Sequence, residues 1–546
     1  MDVELNNKNI YAKSIIVPVL LFCFSLIFQA IAVEPLIGIY DEGLVLVGAE
    51  LVNKGLLPYR DFWTMYGPGQ FYITSWLYTL FGYTNLVVRA MGIVEKSFIV
   101  FISYMLIARF ASKACAVAAA VVILLLLTFA HVEAFPAFPA LALGLAAIYF
   151  AEKGMRGSRL CLFAAGIFTG FEATFRHDLG FYSAIGICAC LLFRSYCQWP
   201  RLKTSEVLRV AMRQCVLYAA GISLVFVPVI AYLFYSVPLV DLYENLIYIP
   251  SKIYPAVRAI PFPGRDAIPT PGIAAFVVYA PFMVVGCILL FELIGARKKG
   301  KSHDNVEPDN GWMLISLVLT TCLLFTIKGM VRVSYFHMIQ AVVLSVILMA
   351  IYIPRALQKT RAARFVLLPG LAIPFALLIS PAFAGLTDFS NGMKELMSGH
   401  SEVSDRCRSP VLPRMRCANL DNDYFLAAQK VRAATQVDDK IYVGTTRHDK
   451  LFVNAVTFYF VAERLPATKW YDLHPGVQTQ ERVQLQMIQQ MRDSPPKMVV
   501  LDSRWDDVKE PNDSQLSNGS KLLDEYLNAN FEEIRRFGTV RVLAPR

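Results

Sequence analysis

Apolar residues along this chain come in long blocks rather than in alternation. Blocks rich in Leu, Ile, Val, Phe and Ala occupy 14–33, 88–108, 114–131, 135–151, 160–175, 180–193, 214–235, 273–295, 312–328, 337–354 and 364–384. A helix needs about 20 such residues to cross the hydrocarbon of a bilayer, since each residue advances it by about 1.5 Å. The pattern therefore predicts about eleven transmembrane helices. Blocks 160–175 and 180–193 are short and separated only by Arg176, His177, Asp178 and Leu179, so a single bent hairpin is an alternative there. The first block, Ser14 to Val33, is long enough to span and remain rather than be cleaved as a signal.

Two regions break the pattern. Residues 34–87 mix Gly, Pro, charges and aromatics with the amphipathic stretches Leu44 to Val52 and Phe71 to Phe81. Those stretches are too short to span. They are expected to be helices lying in the interface, where Trp63, Trp76, Tyr66, Tyr72 and Tyr78 are favoured. From residue 385 the chain turns polar. Lys440 to Val443 and Met498 to Leu501 read as buried strands, whereas 449–462 and 479–492 have helical spacing. Strand, helix, strand, helix predicts a small α/β domain. The expected organisation is a polytopic α-helical membrane domain over 1–384, with its first outer loop at 34–87, and a soluble domain over 385–546.

Composition agrees: 56% of residues are hydrophobic and 17% charged, against about 25% charged in soluble domains. A net charge of +10 would suit nucleic acid. Lys and Arg, however, cluster in short connections between apolar blocks, as the positive-inside bias requires, and no nucleic acid partner is expected. One set of alternate connections holds Arg109, Lys113, Lys153, Arg156, Arg159, Arg194, Arg201, Arg297, Lys298, Lys299 and Arg355, and the opposite set holds fewer. That bias places the N-terminus in the cytoplasm and, after an odd number of spans, residues 385–546 outside. Cys407 and Cys417 fall in this outer segment and are expected to form a disulfide, two free thiols being the alternative. No Cys or His spacing suggests zinc.

Ionisable residues at membrane depth are costly, so each is a functional candidate. Four sets fall at the outer ends of spans: Tyr40-Asp41-Glu42; His131 with Glu133; Arg176-His177-Asp178; and Lys328, Arg332, Tyr335 and His337. Carboxylates there would take a proton from a nucleophile. Arg, Lys and His would hold a phosphate. Any single one also reads as an interfacial residue bonded to a neighbour, a reading that fits the Asp41–Glu42 pair least.

A family resemblance rests on the first loop. Tyr40-Asp41-Glu42-Gly43, then Lys54-Gly55-Leu56-Leu57-Pro58-Tyr59-Arg60-Asp61-Phe62, then Tyr66-Gly67-Pro68-Gly69-Gln70-Phe71-Tyr72 resembles the first outer loop of GT-C glycosyltransferases. It is most similar to the bacterial protein O-mannosyltransferase and aminoarabinose transferase branch. Gly67-Pro68-Gly69 stands where that family more often has paired prolines. Phe175-Arg176-His177-Asp178, Arg332-Val333-Ser334-Tyr335-Phe336-His337 and His131 to Pro139 resemble other polar segments of the family, as do Phe458-Tyr459-Phe460 and Met498 to Asp502 in the tail.

The resemblance implies an inverting transfer of a sugar from a polyprenyl-phosphate donor to an acceptor hydroxyl, on the outer face of a bacterial inner membrane. The acceptor would be a glycan, a lipid or a protein. Asp41 would be the general base, with Glu42 as alternative base or orienting partner. Arg176, Lys328, Arg332 and His337 would hold the donor phosphate. Arg60, His131, Glu133, His177, Asp178 and Tyr335 would line the substrate site. Glu133 would steer the acceptor or join a metal site, although no metal is expected to be obligatory. Rival readings are a transporter or flippase of lipid or glycan precursors, a polysaccharide polymerase or ligase, and a non-catalytic envelope protein. A transporter would place its charges near the bilayer midplane and show repeated halves, and no repeat is visible.

Overall fold

The computed structural model describes residues 2–131, 134–197, 204–262, 273–298, 310–359, 361–398, 407 and 412–546. Each apolar block falls on a helix. They are α1 (Asp2–Ala32), α4 (Asn85–Ile107), α5 (Lys113–Thr128), α6 (Ala137–Met155), α7 (Arg159–Phe175), α8 (His177–Cys197), α9 (Thr204–Ser236), α12 (Ala280–Lys298), α13 (Asn310–Gly329), α14 (Tyr335–Lys359) and α15 (Arg361–Ser398). Among the described residues, eight helices are long and apolar enough to cross a membrane, fewer than the eleven expected. The other three are α5, with 16 residues, α7, with 17, and α6, whose last turns carry Glu152 and Lys153. Much of α6, and one face each of α5 and α7, is packed within the bundle core. A helix wrapped by protein need not match the bilayer in length or composition. Ser112 and Ser158 start α5 and α7 by accepting the backbone N–H of Cys115 and Cys161, satisfying donors that a helix start leaves open.

The chain breaks between α7 and α8 only at Arg176, which is extended (φ −139°). Two helices result, and α8, 21 residues long, is long and apolar enough to cross a membrane rather than form half of a short hairpin. After α9, the short α10 (Leu239–Tyr243) leads into a π-helical stretch, Glu244–Ile253, and then α11 (Tyr254–Val257).

The first loop folds as α2 (Asp41–Asn53) and α3 (Gly69–Phe81). Helix α3 presents Ile73, Trp76, Leu80 and Phe81 as exposed apolar side chains, the kind of face an interfacial helix needs. Helix α2 does not. Every residue from Glu42 to Leu51 is buried, because the C-terminal domain sits on it. Trp63, expected as an interfacial anchor, is likewise only 1% exposed and packs beside Trp470, and Tyr78 is buried too.

The C-terminal domain holds α16 (Asn422–Ala434), β1 (Lys440–Thr445), α17 (Thr457–Ala462), β2 (Leu465–Pro466), α18 (Glu481–Asp493), β3 (Met498–Asp502), α19 (Leu522–Asn530), β4 (Phe531–Phe537) and β5 (Val540–Pro545). Its sheet runs β2-β1-β3-β5-β4. Strand β1 is parallel to β2 and β3, and β5 is antiparallel to β3 and β4. Strands β1 and β3 and helix α18 match expectation, whereas α17 covers only the end of 449–462. Helix α15 continues to Ser398, past the expected boundary at 384.

Domain and first loop share one core. Leu44, Leu46, Val47 and Phe71 cluster with Ile441, Phe458, Tyr459 and Val461. Residues 35–37 pair with Asn419 through two backbone hydrogen bonds, of 2.7 and 2.9 Å. Nearby, Cys407 and Cys417 form the expected disulfide.

Candidate active site

Helix α2 begins at Asp41, directly after the turn that leaves α1. The turn is fixed by Glu42, whose carboxylate accepts the Gly38 N–H at 3.0 Å and takes the Arg89 guanidinium at 2.8 and 3.3 Å. Both side chains are nearly fully buried. Glu42 is thus bound to Arg89 and to the turn, an arrangement that fits an orienting partner better than an alternative base. Asp41 makes none of these bonds and faces a cavity of about 420 Å³.

The cavity lies where helices end on one side of the bundle, beneath the C-terminal domain. The chain after α1 supplies Gly38 to Glu42, the α5–α6 turn His131 and Phe135, the α13–α14 turn Arg332 and Ser334, and the first turn of α14 His337. Tyr254 and Arg258 come from α11 and its end, and Asp472, His474 and Trp505 from the C-terminal domain. Of the residues expected from sequence, Asp41, Glu42, His131, Arg332 and His337 are brought together here.

Others are placed differently. Arg176 closes its fork on Asp178 (2.9 and 2.6 Å), and Lys328 Nζ lies 3.7 Å from the same carboxylate. This ion cluster stands one ring behind the cavity, with Arg176 5.7 Å from the centre of the Tyr66 ring. His177 approaches the backbone of Leu246. Tyr335 donates its hydroxyl to Leu126 O at 2.6 Å and packs on Phe129, a structural contact away from the cavity. Arg60 is exposed, bound to Asp61 and to Ser236 O, and does not reach the cavity. Glu133 lies outside the described residues.

Sequence reasoning missed Arg258, Tyr254, Asp472, His474 and Glu510 as site residues. Arg258 and Arg332 meet on one carboxylate: Glu510 Oε2 is 3.0 Å from Arg258 Nη1 and 3.1 Å from Arg332 Nη1, while Oε1 takes Arg332 Nη2. Arg332 Nη1 also donates to Arg258 O at 2.7 Å. His337 bonds Ser334 through Nδ1 at 2.7 Å and the Tyr254 hydroxyl through Nε2 at 3.0 Å. Tyr40 donates to Asp472 at 2.7 Å.

Electrostatics follow from this enclosure. Loss of hydration raises Asp41 to about 6, against the pull of Arg258 and Arg332. Asp472 is raised to about 7 by burial and by the Asp41 charge, with the Tyr40 hydrogen bond and Arg258 opposing. His474 is pushed down to about 3, chiefly by burial and then by Arg258. The site thus offers a carboxyl group titrating near neutrality opposite two permanent cations, an arrangement suited to moving a proton beside a bound anion.

No family model and no curated protein matches the sequence. Among solved structures, ArnT from Cupriavidus metallidurans bound to undecaprenyl phosphate is similar over 96% of this chain and 97% of that one. Identity is 14% and the TM-score 0.53. The apo state of that ArnT covers the same shares at 14% identity, with a TM-score of 0.48. At such identity the likeness establishes architecture alone, and this chain has the fold of that ArnT: a polytopic helical domain capped by a small C-terminal sheet domain.

Proposed function

We propose that the protein is a membrane glycosyltransferase that moves a sugar from a polyprenyl-phosphate donor to an acceptor hydroxyl. The reaction takes place on the outer face of a bacterial inner membrane, with inversion at the anomeric carbon. The observation that carries this reading is the cavity lined together by Asp41, Arg258 and Arg332. Support for the donor class comes from the ArnT-like fold, since that ArnT is bound to undecaprenyl phosphate.

In this mechanism the acceptor O–H gives its proton to an Asp41 carboxylate oxygen as the hydroxyl oxygen bonds to the anomeric carbon. The bond from that carbon to the phosphate oxygen breaks on the opposite side, and its electron pair stays on the phosphate. Arg258 and Arg332 stabilise the added charge, so the leaving group needs no proton. His337, oriented by Ser334 and Tyr254, contributes a hydrogen bond at the cavity wall. Glu42 and Arg89 fix the turn that presents Asp41. Direct attack by the acceptor hydroxyl on the anomeric carbon, with Asp41 taking its proton and no covalent sugar–protein intermediate, gives inversion.

Purified wild type and Asp41→Asn are to be incubated with radiolabelled polyprenyl-phosphate sugars and a membrane extract. Sugar leaves the carrier with wild type and not with correctly folded Asp41→Asn. Turnover that survives in the variant removes Asp41 from the mechanism. No turnover from any donor removes the transferase reading.

A further inference from the structure

The two cavity arginines are not left with their full charge. Glu510, on the loop after β3, bridges both, and its side chain is only 13% exposed. Asn512 donates a further hydrogen bond to it at 3.0 Å. Two guanidinium groups this close repel, and Arg258 is held below its ordinary value by burial and by Arg332. One bridging carboxylate leaves the cluster with a net charge of about +1 rather than about +2. Glu510 is absent from the cavity wall, whereas Arg258 and Arg332 form part of it. The carboxylate therefore meets the guanidinium groups from behind, and Arg258 Nε remains a buried donor with no acceptor among the described residues.

Donor and lipid product differ in charge at the phosphate. A polyprenyl-phosphate sugar is a diester with one negative charge, whereas the lipid product is a monoester carrying about −1.5 to −2 near neutrality. We propose that Glu510 sets the charge of the phosphate seat so that it matches the singly charged donor diester and releases the more highly charged monoester product. The proposal rests on the reading of Arg258 and Arg332 as the donor-phosphate ligands. It makes Glu510 a specificity-determining, positioning residue supplied by the C-terminal domain. Removing its charge strengthens attraction for any anion, and does so about twice as strongly for a dianion as for a monoanion.

Binding of undecaprenyl monophosphate and of its methyl ester, which has the same lipid and one charge fewer, is to be measured on full-length protein in detergent. In Glu510→Gln the monophosphate gains on the order of tenfold in affinity relative to the methyl ester, and it becomes a correspondingly stronger product inhibitor. Glu510→Asp, which restores the charge, returns the ratio toward wild type. A purely structural role for Glu510 lowers both affinities together and leaves their ratio unchanged, and that result overturns the proposal. Arg258→Gln and Arg332→Gln separate the two levels. If both variants bind both esters as wild type does, the phosphate seat lies elsewhere and the underlying reading fails. If they weaken both esters while Glu510→Gln leaves the ratio unchanged, only the charge-setting role is lost.

Discussion

At the residue scale, Asp41 and Glu42 are neighbours with opposite fates. Asp41 faces the cavity with its carboxyl raised to about 6, and under the proposed mechanism it is a base that protonation disables. The transfer rate is expected to rise with pH through a midpoint near 6, read from single-turnover rates. Arg332→Gln removes a cation that favours the carboxylate and moves that limb to higher pH. A raised carboxyl pKa also means that the folded protein binds a proton more tightly than the unfolded chain does. The native state therefore gains stability as pH falls through about 6, and ionised Asp41 costs stability above it. Asp41→Asn is expected to unfold at the same or a higher temperature than wild type at pH 8, while its activity is lost. Glu42→Gln behaves in the opposite sense. It removes the carboxylate charge from beside the buried Arg89 guanidinium, whose bonds to Glu34 O and Leu36 O remain, and breaking such a pair from one side costs about 3–5 kcal/mol. A lowered thermal midpoint measured in detergent checks this.

At the scale of elements, the fold turns on how closely α2 approaches the C-terminal domain. A Cβ at Gly43 would collide with the backbone and side chain of Thr457, at the start of α17. Gly43→Val is expected to force these elements apart and cost about 1–3 kcal/mol. The loss would appear as faster proteolysis of the C-terminal domain while the membrane helices stay intact. The same packing explains what sequence could and could not reveal. Apolar blocks located the membrane helices because hydrocarbon imposes one simple pattern on them. Helix α2 carries an apolar stripe that fits a lipid interface and a protein interface equally, so its burial under a domain encoded some 400 residues later was not legible. Strand β4 was missed because Glu532, Glu533, Arg535 and Arg536 lie exposed on it and hide its alternation. Asp41, Arg332 and His337 were legible as charges beside apolar spans. Asp472 and His474 were not, since a charged residue in a soluble domain carries no such penalty to advertise it. Trp470-Tyr471-Asp472-Leu473-His474, aromatic and ionisable together, was the available signal.

At the scale of the whole molecule, membrane helices and C-terminal domain each supply part of one chamber. Under the proposed orientation the domain lies outside the membrane. A cysteine placed at the exposed Leu516 is expected to react with a membrane-impermeant maleimide in intact cells from which any outer barrier has been removed. Labelling only after lysis reverses the orientation. The shared chamber also bears on when the protein becomes active. Tyr40 meets Asp472 across 432 positions of chain, and Glu50 meets Arg414 across 364. Synthesis at about 5–20 residues per second separates the first pair by roughly 20–90 s. Through that interval the helices enter the bilayer one after another while Asp41 waits without its roof. A ribosome that stalls before residue 472 therefore leaves an inserted bundle without a closed chamber. Under the proposed function, a molecule can act on its donor only once its chain has been made beyond Asp472 and folded back onto Tyr40.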